Sequence, residues 1–288
     1  GDTGAQLMLP NGTHQEGNEP PFNAQPLYQN EMTVEGGDWY QNNNYGHRDA
    51  TLEEIFHLVH DAGIGTYQPG ALPKYQEKLL AEAKAAMKDG RWPAQKDQRT
   101  RAWINDLRQE NSLAQEYIAS VLDSYFGYWG AWTDGPGGMW GIYIAKTRAE
   151  IAVKDPAGLA LLEAFLPKWL SYEARLDATF SGQFDMTFDA EKPYTHKSQY
   201  LLHATLTGNK PSNLRGNAEA NTLRGNVADN LLDGLAGSDT VIYCNNYEEY
   251  SLTRAGNTVV VTGPDGKDTL SNIEWIHFSN AKLATSAL

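Results

Sequence analysis

The chain has 288 residues, with 23 Lys and Arg against 36 Asp and Glu, a formal charge of -13. A chain this acidic is repelled by nucleic-acid phosphates and anionic lipid, so no nucleic-acid partner is expected. Its most apolar stretch, Ala157 to Leu166, contains Glu163 and is only half the roughly 20 residues a membrane span needs, so no span is expected either.

The sequence opens GDTGAQ without Met, which leads us to expect a processed form whose signal peptide has been removed. Residues 1–46 are rich in Gly, Asn, Pro and Gln and follow neither the helical nor the strand period, so they read as an extended arm. From Ala50 to about Leu166 the apolar spacing turns helical, in TLEEIFHLVHDAG, LPKYQEKLLAEAKAAMKDG, RTRAWINDLRQE and SLAQEYIASVLDSYFGYW, and a mainly α domain is expected over 47–170. Its DGPGG loop at Asp134 to Gly138 lacks the Lys-Ser/Thr that would make it a phosphate loop. The aromatic cluster from Tyr125 to Tyr143 reads mostly as core, with sugar stacking or the lining of a peptide cleft as the alternatives. After Pro167, alternation in ARLDATF and QFDMTF predicts connecting β strands over 171–205. Cys244, in YCNNY, has no second sulfur and no nearby His, and is expected to be structural or inert.

Three blocks of nine then stand in phase: GNAEANTLR, GNVADNLLD and GLAGSDTVI, opened by Gly216, Gly225 and Gly234. Their sixth places hold Asn221, Asn230 and Asp239, and their eighth Leu223, Leu232 and Val241, with Leu214 extending the apolar column backwards. A short period with Gly at the turn and one aliphatic per block is what a parallel β-roll requires, because each rung buries its aliphatic only by stacking. The fold class expected is therefore α+β: an N-terminal mainly α domain followed by β strands and, over 206–288, a short parallel β-roll with a β cap.

These blocks resemble the nonapeptide repeats, GGxGxDxUx, of the RTX (haemolysin-type) calcium-binding family, with GLAGSDTVI the nearest copy; DGKDTLSNIEWIHFSN is similar to the strand-rich cap that follows such repeats. The resemblance implies export from a Gram-negative bacterium and Ca²⁺ bound by turn carbonyls and the sixth-place Asp, here Asp239. Two sixth places are Asn, and Glu219 and Ala228 stand where Gly is usual. A metal-free roll, with Asn221 and Asn230 stacked in a hydrogen-bonded ladder, is the alternative.

The chemistry is expected on the helix TLEEIFHLVHDAG. Leu52, Ile55, Phe56 and Val59 share an apolar stripe expected to face the core, and Glu53, His57 and His60 fall together on its flank. A carboxylate and two imidazoles one turn apart form a ligand set for Zn²⁺ or a similar ion. Glu53-Glu54-Ile55-Phe56-His57 resembles the HExxH motif of zincin metallopeptidases with Glu in place of the first His; the resemblance implies that Glu54 activates the attacking water. Gluzincins add a Glu from a later helix. Glu116 is the match here, with small Ala119 and Ser120 leaving room beside it, and EYIASVLDSYF resembles the Glu-bearing helix of metallopeptidases related to the anthrax lethal factor. His47 and Asp49 are candidates to orient an imidazole. In a purely structural reading Thr51 and Glu54 form a capping box and Glu53 pairs with His57 at i,i+4. His196 and His203 read as ordinary hydrogen-bonded histidines.

The function expected is a secreted zinc-dependent hydrolase, a peptidase acting on a peptide or protein substrate. Its alternatives are a non-catalytic surface, adhesion or calcium-binding module, and an inactive metallopeptidase relative.

Overall fold

The helical pattern of the first half forms, in chain order, α1 (Asp38–Asn42), α2 (Thr51–Val59), α3 (Pro73–Asp89), α4 (Gln98–Glu110), α5 (Leu113–Tyr125), α6 (Arg148–Lys154) and α7 (Pro156–Glu163). These come from a computed structural model that describes residues 6–10, 24–33, 36–64, 73–192, 197 and 200–288. None of the described helices is long and apolar enough to cross a membrane. The chain divides into two units, 1–33 with 45–168 and 34–44 with 169–288. Strands follow the helices, and the fold is α+β.

In the first unit α5 is the hub: from Tyr117 to Tyr125 every residue is buried, and α2, α3, α4, α6 and α7 all pack against it. The helix boundaries follow local chemistry. Asp97 accepts the Thr100 N–H at 2.8 Å to cap α4, and Asn111 ends that helix in the left-handed conformation. Asp155 caps α7 ahead of Pro156 and, fully buried, accepts the hydroxyls of Tyr117 (2.8 Å) and Tyr143 (2.9 Å). The arm is not featureless. Leu7–Met8 (β1) pairs in parallel with Gln25–Pro26 (β2), and α1 interrupts its end.

The second unit contains two six-stranded sheets. Its strands are β3 (Leu170–Leu176), β4 (Gly182–Asp185), β5 (Leu201–Leu206), β6 (Ser212–Arg215), β7 (Thr222–Arg224), β8 (Leu231–Asp233), β9 (Thr240–Ile242), β10 (Ser251–Ala255), β11 (Thr258–Gly263), β12 (Gly266–Ser271), β13 (Trp275–His277) and β14 (Lys282–Ala284). One sheet runs β10-β11-β12-β8-β6-β4 and the other β14-β13-β9-β7-β5-β3. Successive blocks of nine fall on opposite sheets, so the single apolar column of the sequence separates into two. Phe184, Leu214, Leu232 and Leu270 stand in register on one sheet; Ala174, Ala204, Leu223, Val241 and Ile276 do so on the other. All nine are at most 2% exposed, which makes these columns the core. They also show that β3, β4 and β5 belong to the same two sheets as the repeats, and that β12 and β13 of the cap continue them in parallel before β10–β11 and β14 close the edges antiparallel.

Asn221 and Asn230 lie on opposite sides of the roll, so they do not stack on each other. Each closes its own turn: Asn221 Oδ1 accepts the Asn217 N–H at 2.7 Å, and Asn230 Oδ1 accepts the Asn226 N–H at 2.8 Å. The ladder runs instead through every second block. The Asn221 N–H donates to Asp239 (2.7 Å), whose own N–H donates to Glu274 (2.7 Å), while the Asn230 N–H donates to Asp268 (2.9 Å). Gly216 and Gly225 are required here, since a Cβ at either would lie 2.4 Å from the Asn Oδ1. Cys244 is exposed and unbridged.

Candidate metal centre

The α2 helix buries only part of its apolar stripe. Ile55 and Val59 are 41% and 47% exposed, whereas Glu53, Phe56, His57 and His60 are buried. The stripe therefore places Phe56 correctly and Ile55 and Val59 wrongly, because a set of charged partners draws the Glu53 and His57 side of the helix inward. Arg48, itself buried, donates to Glu53 and pairs with Asp123 of α5 at 3.0 Å, and its guanidinium lies 5.4 and 5.2 Å from the Trp129 and Trp140 ring centres. Burial works against the Arg48 charge, yet Glu53 and Asp123 overcome it and hold its pKa above the ordinary value.

Glu53 and His57 of α2 meet Glu116 of α5. His57 Nε2 lies 3.4 Å from Glu116 Oε1 and 3.9 Å from Glu53 Oε1, and one ligand atom from each residue lies within 4.8 Å of the others. A tetrahedral ion with ligands at about 2.0–2.1 Å has ligand–ligand edges of about 3.3–3.4 Å, so a small inward adjustment would let all three reach one cation. The electrostatics point the same way. Burial lowers the His57 pKa to about 4, leaving the neutral imidazole that coordinates metals. Burial, with Glu53 and Glu54 beside it, raises Glu116 well above the ordinary carboxylate range. Among the described residues this is the one group of three or more potential ligands.

His60 stands apart from the group. The helix widens into a π turn at His60–Ile64, which shifts the phase that sequence spacing assumes. Its ring stacks near Phe56, and Nε2 lies 2.9 Å from Gln76 Oε1. Glu54 lines a cavity beside the group, where its carboxylate accepts the Gln25 amide at 2.7 Å, and burial followed by the charges of Glu53 and Glu31 pushes its pKa to about 8. The capping box is not formed: Ala50 occupies the N-cap, and the Thr51 N–H donates to Asp49 at 3.0 Å. Neither His47 nor Asp49 orients the imidazole, because His57 Nδ1 is buried without a hydrogen-bond partner. Ala119 and Ser120, three and four residues after Glu116, are small residues packed inside the helical unit. Both are fully buried, and Ser120 accepts the Trp92 indole N–H at 3.0 Å.

The cavity beside this group has a volume of about 670 Å³. Most of the Tyr125–Tyr143 aromatics are core; Trp140, 44% exposed, is the exception and lines the cavity with Trp103. Sequence reasoning missed Arg48 and Asp123, and it held Trp140 only within an aromatic cluster read mostly as core. Asp123 had a readable signal, since it follows Glu116 by two turns and is the only charged residue between Tyr117 and Tyr125.

In the roll, Asp239 is fully buried with Oδ2 unpartnered, and burial raises its pKa to about 6. His203 Nδ1 likewise lacks the partner expected of it, and His196 lies outside the described residues. No family model matches the chain, and neither a curated protein nor a solved structure matches it.

Proposed function

We propose that this chain is a secreted metal-dependent hydrolase of peptides, with Glu53, His57 and Glu116 as the ligands of one zinc-like cation. The observation that carries the reading is the buried convergence of a neutral imidazole and two carboxylates 3.4 and 3.9 Å from it. Two oxygens and one nitrogen suit zinc, and they leave a position open for substrate or water. Arg48 holds Glu53 through Oε2, the oxygen other than the one 3.9 Å from His57, and Asp123 in turn pairs with Arg48.

When bound, the ion polarises the scissile carbonyl and lowers the pKa of an attacking water toward about 7. Glu54 accepts the proton of that water as its oxygen bonds to the carbonyl carbon, then returns it to the amine as the C–N bond breaks. For this Glu54 must be ionised, and a cation beside it favours the ionised form. Secretion rests on the resemblance of 216–242 to RTX repeats. In the same reading Asp239 is the calcium ligand of the roll, the Asn turns being closed by their own hydrogen bonds.

The unoriented His57 ring and the Gln25 amide on Glu54 favour a second reading, a silent relative that keeps its ion without turnover. Hydrolysis of a mixed peptide pool by zinc-loaded protein separates the two. The hydrolase reading predicts turnover that falls about 10²- to 10⁴-fold in Glu54→Gln while bound zinc is retained. Zinc without turnover in the parent protein supports the silent relative.

A further inference from the structure

We propose that the second unit binds neutral saccharides in a groove along one edge of its roll, with the Trp169 and Tyr200 rings as the stacking surface. The groove holds about 410 Å³, in the size range of small-ligand sites, and it lies at the entries to four adjacent parallel strands of one sheet. Trp169 precedes β3 and Tyr200 precedes β5, while Asn217 and Glu219 belong to the turn that leads into β7 and Leu235 to the turn that leads into β9. Strands about 4.8 Å apart make four such entries about 14 Å long, which is room for more than one sugar ring. Backbone pairing sets the two rings side by side. The Leu170 N–H donates to Tyr200 O at 2.9 Å, and Leu170 pairs with Leu201, so the residues just before them meet with ring centres 5.6 Å apart.

The lining sets the chemistry of the ligand. Leu170 and Leu201 enter the core, but both rings stay partly exposed at the cavity. The negative face of an aromatic ring attracts the C–H groups that a pyranose presents on its flat side. The Asn217 side chain is already used by the fold: Oδ1 accepts the Glu219 N–H at 2.9 Å and Nδ2 donates to Leu201 O at 2.8 Å, which ties the turn to β5. The Trp169 indole N–H and the Glu219 carboxylate are not used, since neither has a hydrogen-bond or ion-pair partner among the described residues. A free donor and a free acceptor on the border of an aromatic pair complement the hydroxyls of a stacked sugar. No Lys, Arg or His stands among the described residues of the lining, and Glu219 is its one charged group. A phosphorylated or sulfated ligand is therefore repelled, and a single partly exposed carboxylate holds a cation only weakly.

The test is calorimetry on the full chain without added zinc, using maltotriose, cellotriose and triacetylchitotriose as neutral probes and a sulfated heparin disaccharide and tetramethylammonium as charged ones. The proposal predicts that at least one neutral trisaccharide saturates the chain with Kd below about 1 mM, and that neither charged probe does. Trp169→Ala and Tyr200→Ala, each checked for folding by circular dichroism, should weaken that binding at least about tenfold, and Trp169→Phe should retain more of it than Trp169→Ala. Failure of all three trisaccharides to saturate the chain, an affinity unchanged in both folded alanine variants, or tighter binding of either charged probe would each overturn it. Neither zinc nor turnover enters the measurement, so its outcome is independent of the hydrolase reading.

Discussion

The roll and the α2–α5 face both bury polar groups, and they do so in opposite ways. In the roll Asn221 and Asn230 give and receive hydrogen bonds on both ends of the amide, and Asp268, deep in the second unit, has its two oxygens taken by the Asn230 N–H and the Tyr243 hydroxyl at 2.9 Å each. Between α2 and α5 the buried groups crowd one another. Carboxylates face carboxylates, burial pushes the pKa values of Glu54, Glu116 and Asp123 upward, and His57 Nδ1 has no partner. Buried polar groups that serve structure are satisfied by their own chain, and the crowded, incompletely satisfied set is what the proposed cation site rests on. Asp239, with one unpartnered oxygen, and His203, with an unpartnered Nδ1, are where the roll departs from its own rule.

The largest effect expected on stability comes from Arg48→Met. It leaves Glu53 and Asp123 facing each other without their shared cation, and breaking a buried pair in this way costs about 3–5 kcal/mol. Denaturant unfolding measures this, and saturating zinc should recover part of the loss by replacing the positive charge.

Leu223→Ala is next. It removes a fully buried rung between Ala204 and Val241 and should cost about 3 kcal/mol, with zinc affinity unchanged. An equal loss of zinc binding would mean that roll and metal centre are not independent.

Smaller again is a pH effect within the roll. Burial raises the Asp268 pKa from 3.8 to about 7, so the folded state holds this proton more tightly than the unfolded chain. The corresponding stability is present at low pH and is lost as pH rises through about 7. Amide exchange at the roll strands should therefore slow between pH 8 and pH 5 after correction for intrinsic rates, and Asp268→Asn should flatten that change. The smallest effect expected is that of a calcium chelator, about 2 °C or less in the roll's thermal midpoint, because the Asn221 and Asn230 turns close without a cation. A much larger drop would give calcium the structural role that these hydrogen bonds now explain.

The legibility of the two regions differs for the same physical reason. A nonapeptide period is a local signal repeated in phase, and Leu214, Leu223, Leu232 and Val241 reveal a roll by spacing alone. What spacing hides is that nine residues cross to the other sheet, and that Ala174, Ala204 and Phe184 extend the columns without carrying the motif. The α2 face was partly readable. Glu53, His57 and Glu116 follow from one helix turn and one later helix, but amphipathic patterning assigns Ile55 and Val59 to the core because it cannot see Arg48 and Asp123 arriving from outside the helix. The π turn at His60 is equally invisible to a count that assumes 3.6 residues per turn, and Trp140 owes its position to a left-handed turn held by Gln95, 45 residues away.

The most direct measurement of the central claim is zinc stoichiometry and affinity for the parent chain beside His57→Ala, Glu116→Gln and His60→Ala, each checked for folding by circular dichroism. The account predicts one ion per chain, affinity lowered about a hundredfold or more by the changes at His57 and Glu116, and little change in His60→Ala, whose ring faces Gln76. A folded parent chain that takes up no zinc, or one whose affinity depends on His60 and not on Glu116, would contradict it.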